Sequence, residues 1–268
     1  MIMNIMTEKA KLNIAATLKQ AFSLYRQNFG TMLKFAIVSV LCGIPTAAGN
    51  YFTGFEKGML RGIGWLLTLV SWVLMFTVGM KNALGAQFYL ADITAGNEAE
   101  KPTIKSAYAK TKGRTATLAG NYLLLGLIFF ACMMIFVITA AMIPALSEVM
   151  DRSVSSQWIP LIMILLVQSM TFLFAPAAAF EEKEYSMIGR VRRLSKGNVL
   201  RIVVVALTGV GISTLSSVLL RRLGMHTLIM SGITSVISLL MFGFNSAAAF
   251  VTYQTLKPKN EEPAQEGA

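Results

Sequence analysis

Charged residues are scarce in this chain. Only 14% of its 268 residues are Asp, Glu, Lys or Arg, whereas soluble globular domains carry about 25%. Histidine occurs once and cysteine twice, without a C-x-x-C motif, so the chain lacks the ligands and thiols of a zinc or disulfide scaffold. These shortages exclude a disulfide-stabilised domain and a typical soluble enzyme.

Apolar residues are correspondingly abundant. They make up 55% of the chain, and the mean hydropathy is +0.61. A membrane helix needs about 20 mostly apolar residues to cross about 30 Å of hydrocarbon. We therefore predict an all-α membrane domain over residues 1–256, followed by a disordered polar tail over 257–268. Its six transmembrane helices are predicted near residues 31–53, 63–91, 116–146, 158–180, 201–220 and 228–255.

The basic residues are distributed unevenly between the two sides of this predicted bundle. The chain has 24 Lys and Arg against 13 Asp and Glu, and 19 of the basic residues fall on the side of both termini, against 5 on the other side. Cytoplasmic loops carry an excess of Lys and Arg, so both termini are predicted to face the cytoplasm. Nucleic-acid binding is not expected, because the basic residues are not interleaved with exposed aromatic residues in a soluble domain.

Each of the three basic cytoplasmic segments contains an amphipathic stretch, then Gly or Asn, then a span. Mostly apolar residues recur at helical spacing and line one face of each stretch. They are Ile14, Leu18, Phe22, Tyr25 and Phe29 in the first, Ile104, Tyr108 and Thr111 in the second, and Met187, Val191 and Leu194 in the third. This pattern predicts three interfacial amphipathic helices whose apolar faces lie at the boundary between lipid headgroups and acyl chains.

The basic faces of these helices are the predicted binding surface. Cations at this level attract anionic lipid, each contributing about 1 kcal/mol. The candidate lipid-binding or partner-binding residues are Lys19, Arg26, Lys105, Lys110, Lys112, Arg190, Arg192, Arg193 and Lys196. The recurrence suggests three repeat units, at 7–91, 99–180 and 184–256. The alternative is three unrelated loops that share only the excess of inner positive charge.

Residues 176–202, PAAAFEEKEYSMIGRVRRLSKGNVLRI, resemble a bacterial membrane family. The family is the six-span membrane domain attached to some glycerophosphodiester phosphodiesterases, together with related uncharacterised integral membrane proteins. Residues 21–36 and 245–256 are similar to its opening helix and its closing run of small residues. The resemblance implies a multi-pass protein of the bacterial cytoplasmic membrane. It implies no phosphodiesterase activity, because no hydrolase domain follows the last predicted span.

Catalytic chemistry has little support in the sequence. No H-E-x-x-H, G-x-S-x-G or P-loop motif is present, and we predict no catalytic residue, metal site or cofactor. The single histidine, His226, lies in a predicted outer loop. The cluster of Glu181, Glu182 and Glu184 could form a cation site or an acid–base pair, but a solvated first helical turn is the favoured interpretation.

Uncharged polar residues within the predicted spans leave a second possibility. Gln168 and Asn245 are the pair that could line a weakly polar intramembrane site for an amphipathic ligand. The alternative is that such residues form hydrogen bonds between membrane helices. Lys34 and Lys81 lie near span ends, from which their ammonium groups can reach the interface.

Three functions are compatible with these observations. The first is a non-catalytic membrane module that binds anionic lipid or a membrane protein partner through its basic cytoplasmic face. The second is a small permease or flippase-like component for a lipophilic or peptide substrate. The third, a lipid-headgroup enzyme, is suggested by the family resemblance alone.

Overall fold

The computed structural model describes residues 11–53, 58–96, 102–142, 171–180, 187–222 and 227–257. Within these ranges the chain is helical and has no strand. The helices are α1 (Ile14–Gln27), α2 (Phe29–Thr53), α3 (Gly58–Leu74), α4 (Met80–Thr94), α5 (Ile104–Lys110), α6 (Thr115–Met142), α7 (Phe174–Phe180), α8 (Met187–Ser195), α9 (Val199–Arg222) and α10 (Thr227–Leu256). A π-helical turn, Met75–Gly79, joins α3 directly to α4.

The short helices begin and end at residues whose side chains favour those positions. The side chain of Asn13 caps α1 by accepting a hydrogen bond from the Ala16 amide, and Thr103 forms a capping box with Ser106 at the start of α5. Gly113 and Gly197 have φ angles of +78° and +85° in the turns before α6 and α9. Glycine adopts this left-handed conformation without a Cβ penalty, so it can end each short helix and redirect the chain.

Three of the described helices are long and apolar enough to cross a membrane. They are Phe29–Thr53, the continuous helix Gly58–Thr94, and Gly232–Leu256. The pair Ile104–Lys110 and Thr115–Ala131 would add a fourth span, although it is bent by 69°. The predicted spans at 31–53, 63–91 and 228–255 thus coincide with helices of sufficient length. Most of the predicted span at 158–180 lies outside the described residues.

The hydrophobic core lies at one end of the long helices, which we call the core end. Here the beginnings of α2 and α9 meet the ends of α4 and α10, together with α1, α5, α7 and α8. The buried residues include Ala21, Met32, Phe35, Ala86, Leu90, Ala107, Leu173, Leu194, Ile202, Val205, Phe250 and Tyr253. The described chain therefore buries its large side chains mainly at this end.

The opposite end, which we call the far end, has an apolar surface. Its large side chains point outward on α2, α3, α6, α9 and α10. They include Leu41, Ile44, Trp65, Leu69, Trp72, Leu127, Phe130, Ile135, Leu215, Ile229 and Val236. Contiguous exposed apolar surface on this scale is rare in soluble proteins and is expected where lipid chains surround a helix.

Small residues bring α2 and α3 together at the far end. A Cβ atom on Gly64 would lie 2.7 Å from the carbonyl oxygen of Gly49, so the two backbones are in direct contact. Farther along, the buried Ser71 hydroxyl donates a hydrogen bond of 2.6 Å to the Cys42 carbonyl. The two helices thus form an antiparallel hairpin that packs without large side chains.

Candidate functional site

The apolar side chains of α1 pack mainly against protein. Ile14, Leu18 and Tyr25 contact the core, and the Tyr25 ring meets Phe244 of α10 edge to face at 6.5 Å. Burial raises the pKa of Tyr25 above its ordinary value. Phe22 remains 56% exposed. Part of the apolar face of α1 is therefore covered by α10, and its position at a bilayer interface stays a prediction.

The second amphipathic helix, α5, is attached by a buried hydrogen-bond network. The Tyr108 hydroxyl donates to Asn82 Oδ1 at 2.6 Å. Asn82, fully buried in α4, donates through Nδ2 to the Phe35 carbonyl and to Ser39 Oγ, each at 2.7 Å. Both N–H groups of the Asn82 amide and one lone pair of its oxygen are thus hydrogen-bonded. These bonds attach α5 to both α2 and α4.

The third helix, α8, requires a correction at Arg190. Met187, Arg190 and Leu194 are all buried, and Arg190 is only 6% exposed. Arg190 was predicted to face lipid headgroups, but it occupies the inward face of α8, three residues after Met187 and four before Leu194. Its burial places Arg190 off the exposed basic face, and its Nε has no hydrogen-bond partner among the described residues.

The remaining predicted cations lie on the outside of the core end. They are Lys19, Arg26, Lys105, Lys110, Lys112, Arg192, Arg193 and Lys196, and all are exposed. Asp92 is the only acidic residue in the part of the chain that the structure describes, and its carboxylate forms an ion pair with Lys110 at 2.5 Å. The described surface at this end is consequently basic.

Arg114 was not singled out by the sequence, yet it joins distant segments. Its Nη1 donates to the carbonyls of Ala178 and Ala179, at 3.0 and 2.6 Å, near the end of α7. Its guanidinium also lies over the Phe88 ring, 5.9 Å from the centroid. A cation at the carbonyl end of a helix is favourable, so Arg114 links the turn before α6 to α7 and α4.

The predicted intramembrane pair is only partly described. Asn245 lies on α10 beside Gly209 of α9, where a Cβ atom would come within 2.7 Å of Asn245 Cγ. Its buried Oδ1 has no hydrogen-bond partner among the described residues. Asn245 therefore lies in a close contact between two helices, and the intramembrane site stays a prediction. Gln168 lies outside the described residues.

Other candidate groups also fall outside them. His226 and the cluster of Glu181, Glu182 and Glu184 belong to undescribed segments, as do residues 258–268 of the predicted tail. Among the residues that are described, no group of three or more His, Cys, Asp or Glu side chains could hold a metal ion.

Comparison with known proteins gave no match to a family model, a curated protein or a solved structure. The resemblance of residues 176–202 to the phosphodiesterase-associated membrane domain therefore stays a prediction from the sequence, as do the three repeat units.

Proposed function

We propose that this chain is a non-catalytic integral membrane module whose core end binds anionic lipid or a membrane protein partner. One observation carries the proposal: eight exposed cations surround the core end, and the single described acid there is already paired with Lys110. Cations at a bilayer surface attract anionic lipid. The absence of catalytic motifs from the sequence supports a non-catalytic role.

The proposal includes the finer topology. Six spans with both termini in the cytoplasm of a bacterium would place the core end and its cations at the inner surface, where anionic lipid lies. The division of basic residues, 19 against 5, supports this orientation. Reporter fusions at residues 55, 150 and 224 should report an external position, and fusions at residue 98 and at both termini an internal one. The opposite pattern of reporter signals would show that the proposed orientation in the membrane is wrong.

The binding proposal is tested by reversing exposed charges at the core end. The variant Arg192→Glu/Arg193→Glu alters two exposed cations of α8, and Arg61→Glu alters an exposed cation of α3 at the far end. Native mass spectrometry of protein from nanodiscs of mixed phosphatidylglycerol and phosphatidylcholine measures which lipid is retained. We expect the preference for phosphatidylglycerol to fall about tenfold or more in the α8 variant and to persist in Arg61→Glu.

A protein partner is tested in parallel by chemical crosslinking in native membranes. A stoichiometric partner whose crosslinking yield falls in the α8 variant would support the partner form of the proposal. If neither the lipid preference nor any crosslinked partner depends on Arg192 and Arg193, the proposal is wrong. Arg190 is not altered, because reversing a buried charge would disturb folding itself.

A further inference from the structure

Two lysines that belong to no predicted amphipathic helix are adjacent in the sequence to the buried network of Tyr108, Asn82 and Phe35. Lys34 of α2 and Lys81 of α4 are both exposed. Each directly precedes a residue of the buried network, because Phe35 follows Lys34 and Asn82 follows Lys81. The hydrogen bond from Asn82 Nδ2 to the Phe35 carbonyl, at 2.7 Å, brings these two backbone positions together.

The helices on either side of this α2–α4 pair show which way the lysines face. On one side lies α10, since Met32 of α2 contacts Gly243 and Gln87 of α4 donates a hydrogen bond to the Ser246 carbonyl. On the other side lies α5, since the Tyr108 ring would contact a Cβ atom on Gly85 at 2.9 Å. The two sides of the pair are therefore covered by different helices.

Helical geometry places Lys34 and Lys81 together on the α5 side. Successive residues of a helix are rotated by about 100°, and α2 and α4 run antiparallel. Phe35 and Asn82 face each other across the two helices, and Lys34 and Lys81 each lie one residue before them. Both lysine side chains therefore point to the same side of the helix pair, opposite α10. The position of Lys81 agrees, because its Nζ lies 5.6 Å from the centroid of the Tyr108 ring.

Apolar surface begins next to these lysines. Ile37 lies three residues after Lys34 and is 42% exposed, and Val78 lies three residues before Lys81 and is 41% exposed. Residues three apart are neighbours on a helix surface. Two cations thus adjoin two exposed aliphatic side chains in the direction of the far end. This surface is complementary to an anionic lipid, in which a phosphate lies next to acyl chains.

We propose that Lys34, Lys81 and the ring of Tyr108 form a binding site for the phosphodiester of an anionic glycerophospholipid, whose acyl chains lie along Ile37 and Val78. Tyr108 is a positioning residue, because its hydroxyl is bonded to Asn82 and its ring faces the Lys81 ammonium. This site rests on the proposed function, because it is one specific lipid-binding position at the core end. It predicts a single retained lipid in addition to the general preference.

The test measures that retained lipid. Protein in phosphatidylglycerol nanodiscs is released under increasing collision energy in native mass spectrometry, and the last bound lipid is counted. For Lys34→Gln/Lys81→Gln we expect retention to fall about tenfold or more. The matched control, Lys11→Gln/Arg61→Gln, removes the same charge at two exposed positions outside the proposed binding surface and should retain the lipid. Lys34→Arg/Lys81→Arg should also retain it.

Three results would overturn the assignment. Equal retention in the glutamine variant and its control would show that no specific site exists. Equal loss in both would show that only overall charge matters. Displacement of the lipid by millimolar inorganic phosphate, with the same dependence on both lysines, would identify a site for free phosphate. Circular dichroism of each variant verifies that the helices are intact.

The failure of this site can be distinguished from failure of the proposed function. If Arg192→Glu/Arg193→Glu abolishes the lipid preference while Lys34→Gln/Lys81→Gln changes nothing, the function stands and the site is wrong. If the lysine variant loses its retained lipid while the α8 variant keeps its preference, the site stands without the wider surface.

Discussion

At the core end, neighbouring helices meet through large buried side chains such as Phe35 and Tyr253, whereas at the far end α2 and α3 meet through Gly49 and Gly64. Large apolar residues are plentiful at both ends. At the far end they point outward, and Phe130, for example, is 63% exposed. The core end covers its own apolar surface, but the far end requires lipid to cover it. Packing between protein side chains should therefore control stability at one end and matter much less at the other.

The largest expected difference comes from the same substitution made at both ends. Phe35→Ala removes a fully buried ring and should cost about 3–5 kcal/mol of unfolding free energy, whereas Phe130→Ala removes an exposed ring and should cost less than about 0.5 kcal/mol. Equilibrium unfolding in mixed micelles measures both. Similar costs for the two variants would mean that the ends are stabilised in the same way.

The glycine contact at the far end is the exception to this comparison. Gly64→Ala would force the α2 and α3 backbones apart and should destabilise the protein by about 1–3 kcal/mol. Gly62→Ala is the matched control, since nothing lies within 4 Å of its added Cβ. The control should be neutral or stabilising by up to about 1 kcal/mol, because alanine favours helix. A harmless Gly64→Ala would indicate that the hairpin opens easily.

The polar network at the core end should contribute less than a buried ring. Tyr108→Phe leaves Asn82 Oδ1 buried without its donor, at a cost of about 1–3 kcal/mol. Tyr25→Phe is a suitable comparison, since no hydrogen bond of the Tyr25 hydroxyl is found among the described residues, and it should cost less than about 0.5 kcal/mol. Unfolding of both variants under the same conditions gives the difference. If Tyr108→Phe is as mild as Tyr25→Phe, the network does not hold α5 in place.

The smallest effect is expected for the ion pair on the surface of the core end. The side chains of Lys110 and Asp92 are 48% and 24% exposed, so solvent screens their attraction. Lys110→Gln should cost at most about 1 kcal/mol, and that cost should shrink as salt is added. Unfolding measured at low and high salt tests this. A cost that is larger and independent of salt would mean that the pair is effectively buried.

Long apolar runs allowed the main helices to be predicted closely. The span expected at 31–53 is the helix Phe29–Thr53, and it continues through Pro45, although proline removes a backbone hydrogen bond inside a helix. The π-helical turn Met75–Gly79 was not predicted, since hydrophobic periodicity does not distinguish a local change of hydrogen bonding inside a continuous apolar helix.

The contacts at the core end were less predictable, because they join segments that are distant in the sequence. Arg190 was predicted to be on the surface because its side chain is charged. Its spacing from Met187 and Leu194, which the sequence also shows, indicates instead the buried face of α8. Asn82 and Arg114 offered no such signal. Their partners lie 26 to 65 residues away, and helical spacing carries no information over that separation.

The continuous helix Gly58–Thr94 extends from the far end to the core end. Its 37 residues extend about 55 Å at 1.5 Å per residue, nearly twice the thickness of a hydrocarbon layer of about 30 Å. A bilayer can therefore cover only part of it, while the rest is held in the core by Asn82 and its neighbours. A thinner or thicker bilayer would change the tilt of the part of this helix at the far end. We expect the part at the core end, and the attached α5, to move with it.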